Sequence, residues 1–381
     1  MPARSGQSAA DNDLAIVGAG FAGLACARSA AMRGLSVLVL ERQARAGQAI
    51  HTTGLLVKEA AERWEVPARL TRRIRGVRLY APSLSHIDLA APGYYFLATD
   101  TPALMAWLAD EARRAGARLV YGSAFRGAGT IDEALVLEGT GTRVRYLVGA
   151  DGAHSQVARA FKLSRNRAYL LGIEAEYEGI GGIDPDRLHC FLDSELAPGY
   201  IGWVVPGVNG MAQVGLAARW PHRPDRLAFE RKLRPLFDWS RARRIAFRGG
   251  RIPVGGRVAK LSTDRVLLVG DAAGIVSPLT AGGIHTAFES GWRAAHAVAD
   301  YLDAGGPDPA RVAAVAYPRF GWKRALRMLA DLPLPNFFFD TMLGTAALRL
   351  VASSIYFHRR HGAEALGSAA GEEQDLRNSP D

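Results

Sequence analysis

The chain has 381 residues, of which 49% are hydrophobic and 22% charged, and its formal net charge at pH 7 is +10. This composition excludes a fibrous or disordered chain and suffices for the core of two interleaved domains. The basic charge favours an anionic partner such as a phosphorylated substrate or a membrane surface. The arginines are scattered and lack interleaved aromatic residues, which argues against nucleic acid.

No targeting or membrane-spanning signal is predicted. Residues 1–12 are polar, lack an apolar signal core and predict a frayed tail. The best candidate for a span, 337–357, is interrupted by Asp340 and Arg349. Because two cysteines cannot form a disulfide framework, we expect a cytoplasmic location.

The first organised stretch covers residues 14–42. An apolar run at 14–17 predicts a buried parallel strand, and Gly18-Ala19-Gly20-Phe21-Ala22-Gly23 follows at once. A helix is predicted over 24–33 and a second buried strand over 35–40, directly before Glu41. This order of strand, glycine-rich turn, helix, strand and acidic residue predicts a site for the ADP part of a dinucleotide.

Each residue type in this stretch has a physical reason. Gly18 permits the tight turn, Gly20 lets the main chain approach a pyrophosphate, and Gly23 lets the helix pack against the strand. The helix N-terminus offers free N–H groups and the positive end of its dipole to the pyrophosphate. Glu41 is placed to accept hydrogen bonds from the hydroxyl groups of the adenosine ribose.

Further alternating elements are predicted up to residue 161. Asp100, followed by Pro102, is typical of a helix start. The predicted helices are 57–64, 103–115 and 156–161, and the predicted strands are 74–80, 87–89, 94–99, 117–121, 134–138 and 143–148.

The segment from 168 to about 250 has a different sequence pattern. Strands separated by proline- and glycine-containing turns predict an antiparallel sheet, at 171–177, 200–205 and 211–217, with one helix at 226–237.

A late strand and helix complete the pattern. The apolar strand 265–269 runs into Gly270-Asp271, and we expect it to return to the first sheet beside the first strand. Asp271 would there accept a hydrogen bond from the ribityl chain of a flavin. Gly282-Gly283-Ile284 would open the following helix, 285–304, whose N-terminus suits the flavin pyrimidine edge.

These elements predict an α/β fold with a Rossmann-like FAD-binding domain, an inserted antiparallel-sheet substrate domain and a helical C-terminal segment. The FAD-binding domain is discontinuous, and its segment 70–100 is expected to contribute to the substrate side. The predicted boundaries are 13–167 plus 251–304 for the FAD-binding domain, 168–250 for the substrate domain, 305–370 for the C-terminal segment and 371–381 for a polar tail.

Three ordered motifs carry a resemblance to a known group. VGAGFAG with Glu41-Arg42, then VGADGAHS, then LLVGDAAGIVSPLTAGGI resemble the FAD motifs of glutathione-reductase-type flavoproteins related to p-hydroxybenzoate hydroxylase. Within that group, the last motif and PGYIGWVVP at 198–206 most resemble the geranylgeranyl reductase family, which uses FAD to saturate isoprenoid double bonds. The cofactor-binding residues expected in this chain are Gly18, Gly20, Ala22, Gly23, Glu41, Arg42, Ala124, Asp271, Gly282, Gly283 and Ile284.

The chain also departs from that family. Ile201 stands where the family has an aromatic residue, and Tyr200 is one residue early, so strand alternation predicts that Tyr200 faces away from Trp203. His51 takes the place of a cysteine that some members carry, and Thr101 stands where relatives have an arginine.

Candidate substrate-side residues follow from these motifs. Tyr200, Ile201, Trp203 and Val205 are assigned to the substrate, although plain core packing is the alternative for this strand. No cluster of polar groups is evident there to orient a phenol. His51 is the candidate proton donor, because imidazole exchanges protons near neutral pH; the alternative is a hydrogen bond to the flavin or the main chain.

Two further positions stay open. Asp151 either braces the cofactor region, as the resemblance implies, or caps the helix after it. His285 lies beside the flavin or on the helix surface. No metal site is predicted.

The resulting interpretation is an FAD-dependent reductase of carbon–carbon double bonds in a polyprenyl or other lipidic substrate. An aromatic hydroxylase of the same fold and a non-catalytic or electron-transfer flavoprotein are the alternatives, with a halogenase less favoured. The chain has no second GxGxxG, so the electron donor is either transiently bound NAD(P)H or a ferredoxin. The apolar segment 333–357 would close a lipid tunnel, touch a membrane surface or pack as an ordinary core helix.

Overall fold

The structure is a computed structural model that describes residues 10–132, 134–332 and 334–357. The predicted C-terminal polar tail, residues 358–370 of the predicted C-terminal segment and residues 1–9 of the predicted N-terminal tail lie outside these ranges.

Strands alternate with helices over the first half of the described chain. The strands are β1 (Asn12–Val17), β2 (Val37–Leu40), β3 (Leu55–Val57), β4 (Thr71–Ile74), β5 (Gly76–Tyr80), β6 (His86–Ala90), β7 (Phe96–Thr99), β8 (Arg118–Val120), β9 (Ala128–Ile131), β10 (Ala134–Leu137), β11 (Arg143–Gly149), β12 (Tyr169–Glu178), β13 (Arg187–Phe191), β14 (Gly202–Pro206), β15 (Met211–Arg219), β16 (Arg243–Pro253), β17 (Ser262–Thr263) and β18 (Val266–Leu268).

Helices cover the faces of the sheets and form most of the C-terminal segment. The α-helices are α1 (Phe21–Met32), α2 (Lys58–Arg63), α3 (Thr101–Arg114), α4 (Gln156–Ala160), α5 (Arg226–Leu233), α6 (Ile284–Ala304), α7 (Pro309–Ala316), α8 (Gly321–Ala330), α9 (Asn336–Met342) and α10 (Ala346–Tyr356), and 3-10 turns lie at Ala68–Leu70, Val208–Gly210 and Gly270–Ala273.

The first sheet has a parallel centre in the order β18-β11-β1-β2-β8, with β17, β10 and β9 attached antiparallel. Its central strands are buried on both faces, as parallel sheets require, which explains their continuous apolar runs. The late strand β18 pairs with β11 and not with β1, so the prediction that it lies beside the first strand is wrong. A strand has only two edges, and β2 and β11 occupy both edges of β1.

Helices α1 and α6 cross in direct contact on this sheet. A Cβ atom added at Gly291 of α6 would lie 2.1 Å from the carbonyl oxygen of Ala22, so only glycine permits this approach. A Cβ atom added at Gly270, after β18, would lie 2.8 Å from Ala22 Cβ. The N-terminal turn of α1 and the Gly270-Asp271 turn are therefore neighbours.

The second sheet has the order β16-β12-β15-β14-β13-β5-β6 and is antiparallel except where β13 meets β5. Strands β5 and β6 come from the segment 70–100, as the sequence predicts. Strands β13 and β16 are not predicted from the sequence. Strand β16 also runs to Pro253, beyond the predicted boundary at 250, because it pairs with β12 as far as Tyr169.

One face of the second sheet packs against helix α5, and the other faces a small sheet of β3, β7 and β4. Between them lies an apolar cluster, here called the inner cluster. It combines residues of both sheets with the end of the described chain, and its members include Leu79, Cys190, Val205, Phe96, Ala98, Leu343, Ala352 and Phe357.

The C-terminal helices are short. Among the described residues, no single helix is long and apolar enough to cross a membrane. Helices α9 and α10 have the required length and apolarity only when they are taken as a pair, and the pair is bent by 98°.

Candidate active site

The glycine-rich turn at the start of α1 is built as the sequence predicts. Gly18 has φ +101°, and a Cβ atom there would lie 2.5 Å from the carbonyl oxygen of Ala150. A Cβ atom at Gly23 would lie 1.9 Å from the carbonyl oxygen of Gly18. At Gly20, by contrast, a Cβ atom would meet no atom within 4 Å. The turn is therefore packed on two sides and open at Gly20, which leaves room for a pyrophosphate.

The N-terminus of α1 is available to an anion. Gly20 is its N-cap and supplies no side chain, and the helix has no acidic residue in its first turn. The N–H of Leu24 donates to the carbonyl oxygen of Gly20 at 2.9 Å, which leaves the preceding N–H groups without intrahelical partners. These groups point outward with the positive end of the helix dipole.

Glu41 lies at the end of β2, beside this turn. One carboxylate oxygen accepts a hydrogen bond from the N–H of Ala19 at 2.8 Å. The N–H of Ser123 donates to the Glu41 carbonyl oxygen at 2.9 Å, which brings the exposed Ala124 close to the exposed Arg42. Glu41, Arg42 and Ala124, three of the predicted cofactor-binding residues, therefore lie at the same edge of the sheet as the glycine-rich turn.

Asp271 follows β18 in a 3-10 turn. Its carboxylate accepts no hydrogen bond from any residue that the structure describes, and burial raises its pKa to about 6. Asn166 holds the turn by donating its amide to the Asp271 carbonyl oxygen at 2.8 Å. A half-buried carboxylate without a donor in the described chain suits a ligand that brings hydroxyl groups, such as a ribityl chain.

Helix α6 begins opposite Asp271. Gly283 is its N-cap, and a Cβ atom there would lie 3.4 Å from a carboxylate oxygen of Asp271. Gly282 is exposed, Ile284 is the first helical residue, and His285 is half-buried in the first turn. The second predicted helix N-terminus therefore opens at the same place as the unpartnered carboxylate.

Asp151 caps the following helix. One of its carboxylate oxygens accepts hydrogen bonds from the N–H groups of Gln156 at 2.6 Å and Val157 at 3.1 Å. The other oxygen is buried without a protein partner in the described chain, and burial raises the pKa of this carboxyl group. Capping is thus observed, and bracing of the cofactor region stays a prediction.

The loop that carries His51 lies against the second sheet. The Nδ1 of His51 donates to the carbonyl oxygen of Gly249 at 3.0 Å, and the side chain is exposed. Farther along the loop, a Cβ atom at Gly54 would lie 1.9 Å from the hydroxyl oxygen of Thr101. Thr101, which stands where relatives have an arginine, is buried beneath this loop.

A buried polar cluster lies beside Trp203, although no cluster of polar groups is evident there from the sequence. The carboxylate of Glu174 accepts hydrogen bonds from Trp203 Nε1 at 2.7 Å, Thr53 Oγ1 at 2.6 Å and Arg248 Nε at 2.7 Å. A second carboxylate, Glu176, lies 3.6 Å from Arg248, and burial raises its pKa. Strand register in the second sheet and the loop after β2 bring these residues together, so neither their spacing nor their local sequence predicts the cluster.

Glycine lets the indole reach across a strand. Trp203 and Glu174 both pair with Gly215, which lies between them on β15. A Cβ atom at Gly215 would lie 2.6 Å from Trp203 Cζ2. The indole therefore lies over Gly215, and its N–H meets the carboxylate on the far side.

Tyr200 does not face away from Trp203, and that prediction is wrong. The two rings pack edge to face with centroids 6.5 Å apart, and the Tyr200 hydroxyl donates to the carbonyl oxygen of Thr280 at 2.6 Å. Alternation applies only within a strand, and β14 begins at Gly202 after a turn in which Gly199 has φ +74°. Tyr200 thus connects the sheet to the loop before α6.

Ile201, Trp203 and Val205 pack into the inner cluster together. This arrangement brings the apolar substrate candidates to the same face as Glu174. Contacts from Thr53, His51 and Thr280 bring the loop after β2 and the loop before α6 to this face as well. The glycine-rich turn, Asp271 and the N-terminus of α6 thus form a cradle for a flavin, here called the flavin cradle. The apolar surface lies beside it.

This fold and site define an FAD-dependent oxidoreductase. The model of the FAD binding domain family matches residues 82–308, and that of the FAD dependent oxidoreductase family matches residues 13–104. The open Gly20, the two helix N-termini and Asp271 fit FAD, which is the cofactor of this protein.

The chain belongs to the geranylgeranyl reductase family. It is 31% identical to digeranylgeranylglycerophospholipid reductase 2 of Methanopyrus kandleri over 76% of this chain and 78% of the relative. It is 30% identical to the protein of that name from Methanothermobacter thermautotrophicus, over 78% and 80%. A solved geranylgeranyl bacteriochlorophyll reductase-like protein from Thermoplasma acidophilum has the same fold, with a TM-score of 0.77, 22% identity and coverage of 96% of this chain and 99% of that one.

Two glycine substitutions separate cofactor binding from folding. Gly20→Ala adds a methyl group in open space at φ −81°, so we expect unchanged urea unfolding of the apoprotein. Its FAD affinity, measured by fluorescence titration, should fall at least about tenfold because the methyl group occupies the pyrophosphate approach. Gly291→Ala, the comparison variant, should lower the free energy of unfolding by about 1–3 kcal/mol. Wild-type FAD affinity in Gly20→Ala would contradict the assignment.

Asp271→Asn should produce a pH-dependent gain in apoprotein stability. The native pKa of about 6 exceeds the unfolded value, so the wild-type carboxyl group destabilises the fold as pH rises through this window. The variant should be the more stable protein at about pH 8 and equal to wild type below about pH 4, while its FAD affinity falls about tenfold. Thermal unfolding across pH and FAD titration measure both effects.

Asp238→Asn is the matched control, because a hydrogen bond from Ser240 N–H lowers the pKa of Asp238 and predicts the opposite pH trend. An Asp271→Asn apoprotein less stable than wild type at every pH would show that Asp271 is a structural acceptor.

Proposed function

We propose that this protein reduces carbon–carbon double bonds in the isoprenoid chain of a lipid, as the names of its relatives suggest. The observation that carries the proposal is the inner cluster, an apolar region between the two smaller sheets and the C-terminal helices that lies beside the flavin cradle. Bound FAD, once reduced by the electron donor, would supply a hydride to one alkene carbon, and the residues around it must supply a proton to the other carbon and exclude water.

The apolar side chains would bind and orient the isoprenoid tail. Ile201 and Trp203 are partly buried and border the inner cluster, and Leu348 and Tyr356 border it from the C-terminal segment. Apolar contact is non-directional, so this surface would select a flexible hydrocarbon by area and not by hydrogen bonds.

The polar cluster supports a reductase over a hydroxylase. Orienting a phenol for oxygenation requires free polar groups that stabilise its phenolate. The two oxygens of Glu174 are instead occupied by three donors from Trp203, Thr53 and Arg248. The hydrogen bonds of Glu174 are therefore made within the protein, and they hold the indole of Trp203 and the loop after β2 against the second sheet.

His51 is our proposed proton donor. Its Nδ1 is anchored to the carbonyl oxygen of Gly249, which fixes the ring and leaves Nε2 to hold the transferable proton. For the electron donor we propose NAD(P)H at a transient site or a ferredoxin, since the chain has a single glycine-rich dinucleotide fingerprint.

We also propose that this protein works in the cytoplasm at a membrane surface that holds its substrate. Exposed apolar side chains lie on three C-terminal helices: Trp322 and Met328 on α8, Phe337 on α9, and Leu350 on α10. Lysine and arginine side chains accompany them at Arg319, Lys323, Arg324 and Arg349. Apolar and cationic groups together favour an anionic bilayer surface.

Alkene reduction is testable with the FAD-loaded protein. Under anaerobic conditions with dithionite, geranylgeranyl diphosphate should gain pairs of hydrogens, as measured by mass spectrometry. Trp203→Phe should lower kcat/KM about tenfold because it removes the donor to Glu174. Trp239→Phe is the matched control and should retain activity, because Trp239 lies on the α5 side of the second sheet and its indole N–H has no hydrogen-bond partner in the described chain.

Failure to reduce any prenyl substrate would contradict the proposal. If an aromatic compound instead stimulated NAD(P)H-dependent oxygen uptake with oxygen incorporation, the protein would be a hydroxylase.

Membrane contact predicts binding to vesicles that contain phosphatidylglycerol. The double variant Phe337→Ser and Leu350→Ser removes side chains that are 70% and 71% exposed, and its vesicle affinity should fall at least about tenfold in a sedimentation assay. High salt should weaken wild-type binding. Ile131→Ser, on β9 of the first sheet and 52% exposed, should bind as wild type does. Equal binding by all three proteins would exclude these helices as the contact.

A further inference from the structure

A small cavity lies where the ends of β12, β15 and β16 meet helix α8. Its polar and aromatic lining comprises three arginines, one aspartate and two aromatic rings: Arg167, Arg219, Arg327, Asp331, Tyr169 and Trp220. We call it the arginine cavity. The three arginines come from three different parts of the chain, so the fold itself concentrates positive charge here.

One carboxylate serves two of these arginines. Asp331 accepts a hydrogen bond from Arg327 Nε at 2.9 Å and forms an ion pair with Arg219. Arg327 is 6% exposed and also donates to the carbonyl oxygen of Gly199. Burial and the nearby Arg219 lower the pKa of Arg327 to about 10. A single acid thus leaves this pair of guanidinium groups with excess positive charge.

Two further cations add to the excess. Arg167 lines the cavity and has no hydrogen-bond or ion-pair partner among the residues that the structure describes. Arg251 stacks over the Trp220 ring at 4.3 Å and approaches the Tyr169 ring at 5.7 Å. Stacking fixes the Arg251 guanidinium beside the cavity while leaving its charge without an acidic partner in the described chain.

The arginine cavity lies next to the face of the second sheet that carries Trp203. Val254 and Ala168 line the cavity and belong to a small apolar cluster that also contains Trp203 and Tyr200. Arg327 bonds to Gly199, the residue before Tyr200. The cavity is therefore about one layer of side chains from the proposed path of the isoprenoid tail.

We propose that the arginine cavity binds a phosphate ester group. Guanidinium groups recognise phosphate oxygens through paired hydrogen bonds, and the excess positive charge in this cavity favours an anion. This proposal rests on the proposed function, which offers two sources of the phosphate group. They are the phosphorylated head of the lipid substrate and the phosphates of a nucleotide electron donor.

Arg167→Gln tests this proposal without removing a structural contact. In calorimetric titrations of the FAD-loaded protein, it should weaken the binding of inorganic diphosphate and of geranylgeranyl diphosphate about tenfold. Binding of geranylgeraniol, which has the same tail without phosphate, should not change. Arg243→Gln is the charge-matched control, because Arg243 is exposed at the far end of β16 and pairs with Glu178.

Titration with NADPH separates the two sources. Weakened geranylgeranyl diphosphate binding with unchanged NADPH binding assigns the cavity to the substrate head, and the reverse assigns it to the nucleotide. Unchanged binding of inorganic diphosphate, geranylgeranyl diphosphate and NADPH in Arg167→Gln would overturn the proposal. Because inorganic diphosphate binding needs no turnover, a protein that binds it through Arg167 yet reduces no prenyl compound would refute the proposed function alone.

Discussion

The close crossing of α1 and α6 is the constraint on which the cofactor site depends. Gly291 lets the two helices touch main chain to main chain at Ala22, which no larger residue permits. Parallel strands end at one edge of a sheet, and the crossing draws the two turns at that edge together. The glycine-rich turn at Gly20 and the turn that carries Asp271 consequently lie side by side, although they are far apart in sequence, which is the arrangement that one extended dinucleotide would require.

Glu174 holds together the loop after β2, beside the flavin cradle, and the second sheet. A buried carboxylate is destabilising unless donors satisfy it, and Glu174 has three. Two come from strands of its own sheet and the third, Thr53, from the loop after β2. The same hydrogen bonds that compensate the buried charge therefore fix the indole of Trp203 against the flavin side.

Local signals in the sequence predicted the parts of the fold that local chemistry determines. The strand, glycine-rich turn and α1 form as predicted, and α3 begins with Asp100 accepting a hydrogen bond from Ala103 N–H at 3.1 Å. The errors concern register and neighbours: the place of β18, the direction of Tyr200 and the Glu174 cluster. Sequence patterns specify which residues are apolar or acidic, but the pairing of distant strands decides which of them meet.

The C-terminal segment combines both properties that a phosphorylated lipid would require. Leu343, directly after α9, and Ala352 on α10 are buried in the inner cluster, while Phe337 on α9 and Leu350 on α10 are exposed. Helix α8 of the same segment supplies Arg327 to the arginine cavity. The residues proposed to hold FAD lie in the first sheet and its helices, whereas the C-terminal segment supplies side chains suited to the tail, the head group and the bilayer. Under these proposals, largely separate parts of the chain would recognise cofactor and substrate, an arrangement that lets one flavin fold accommodate different substrates.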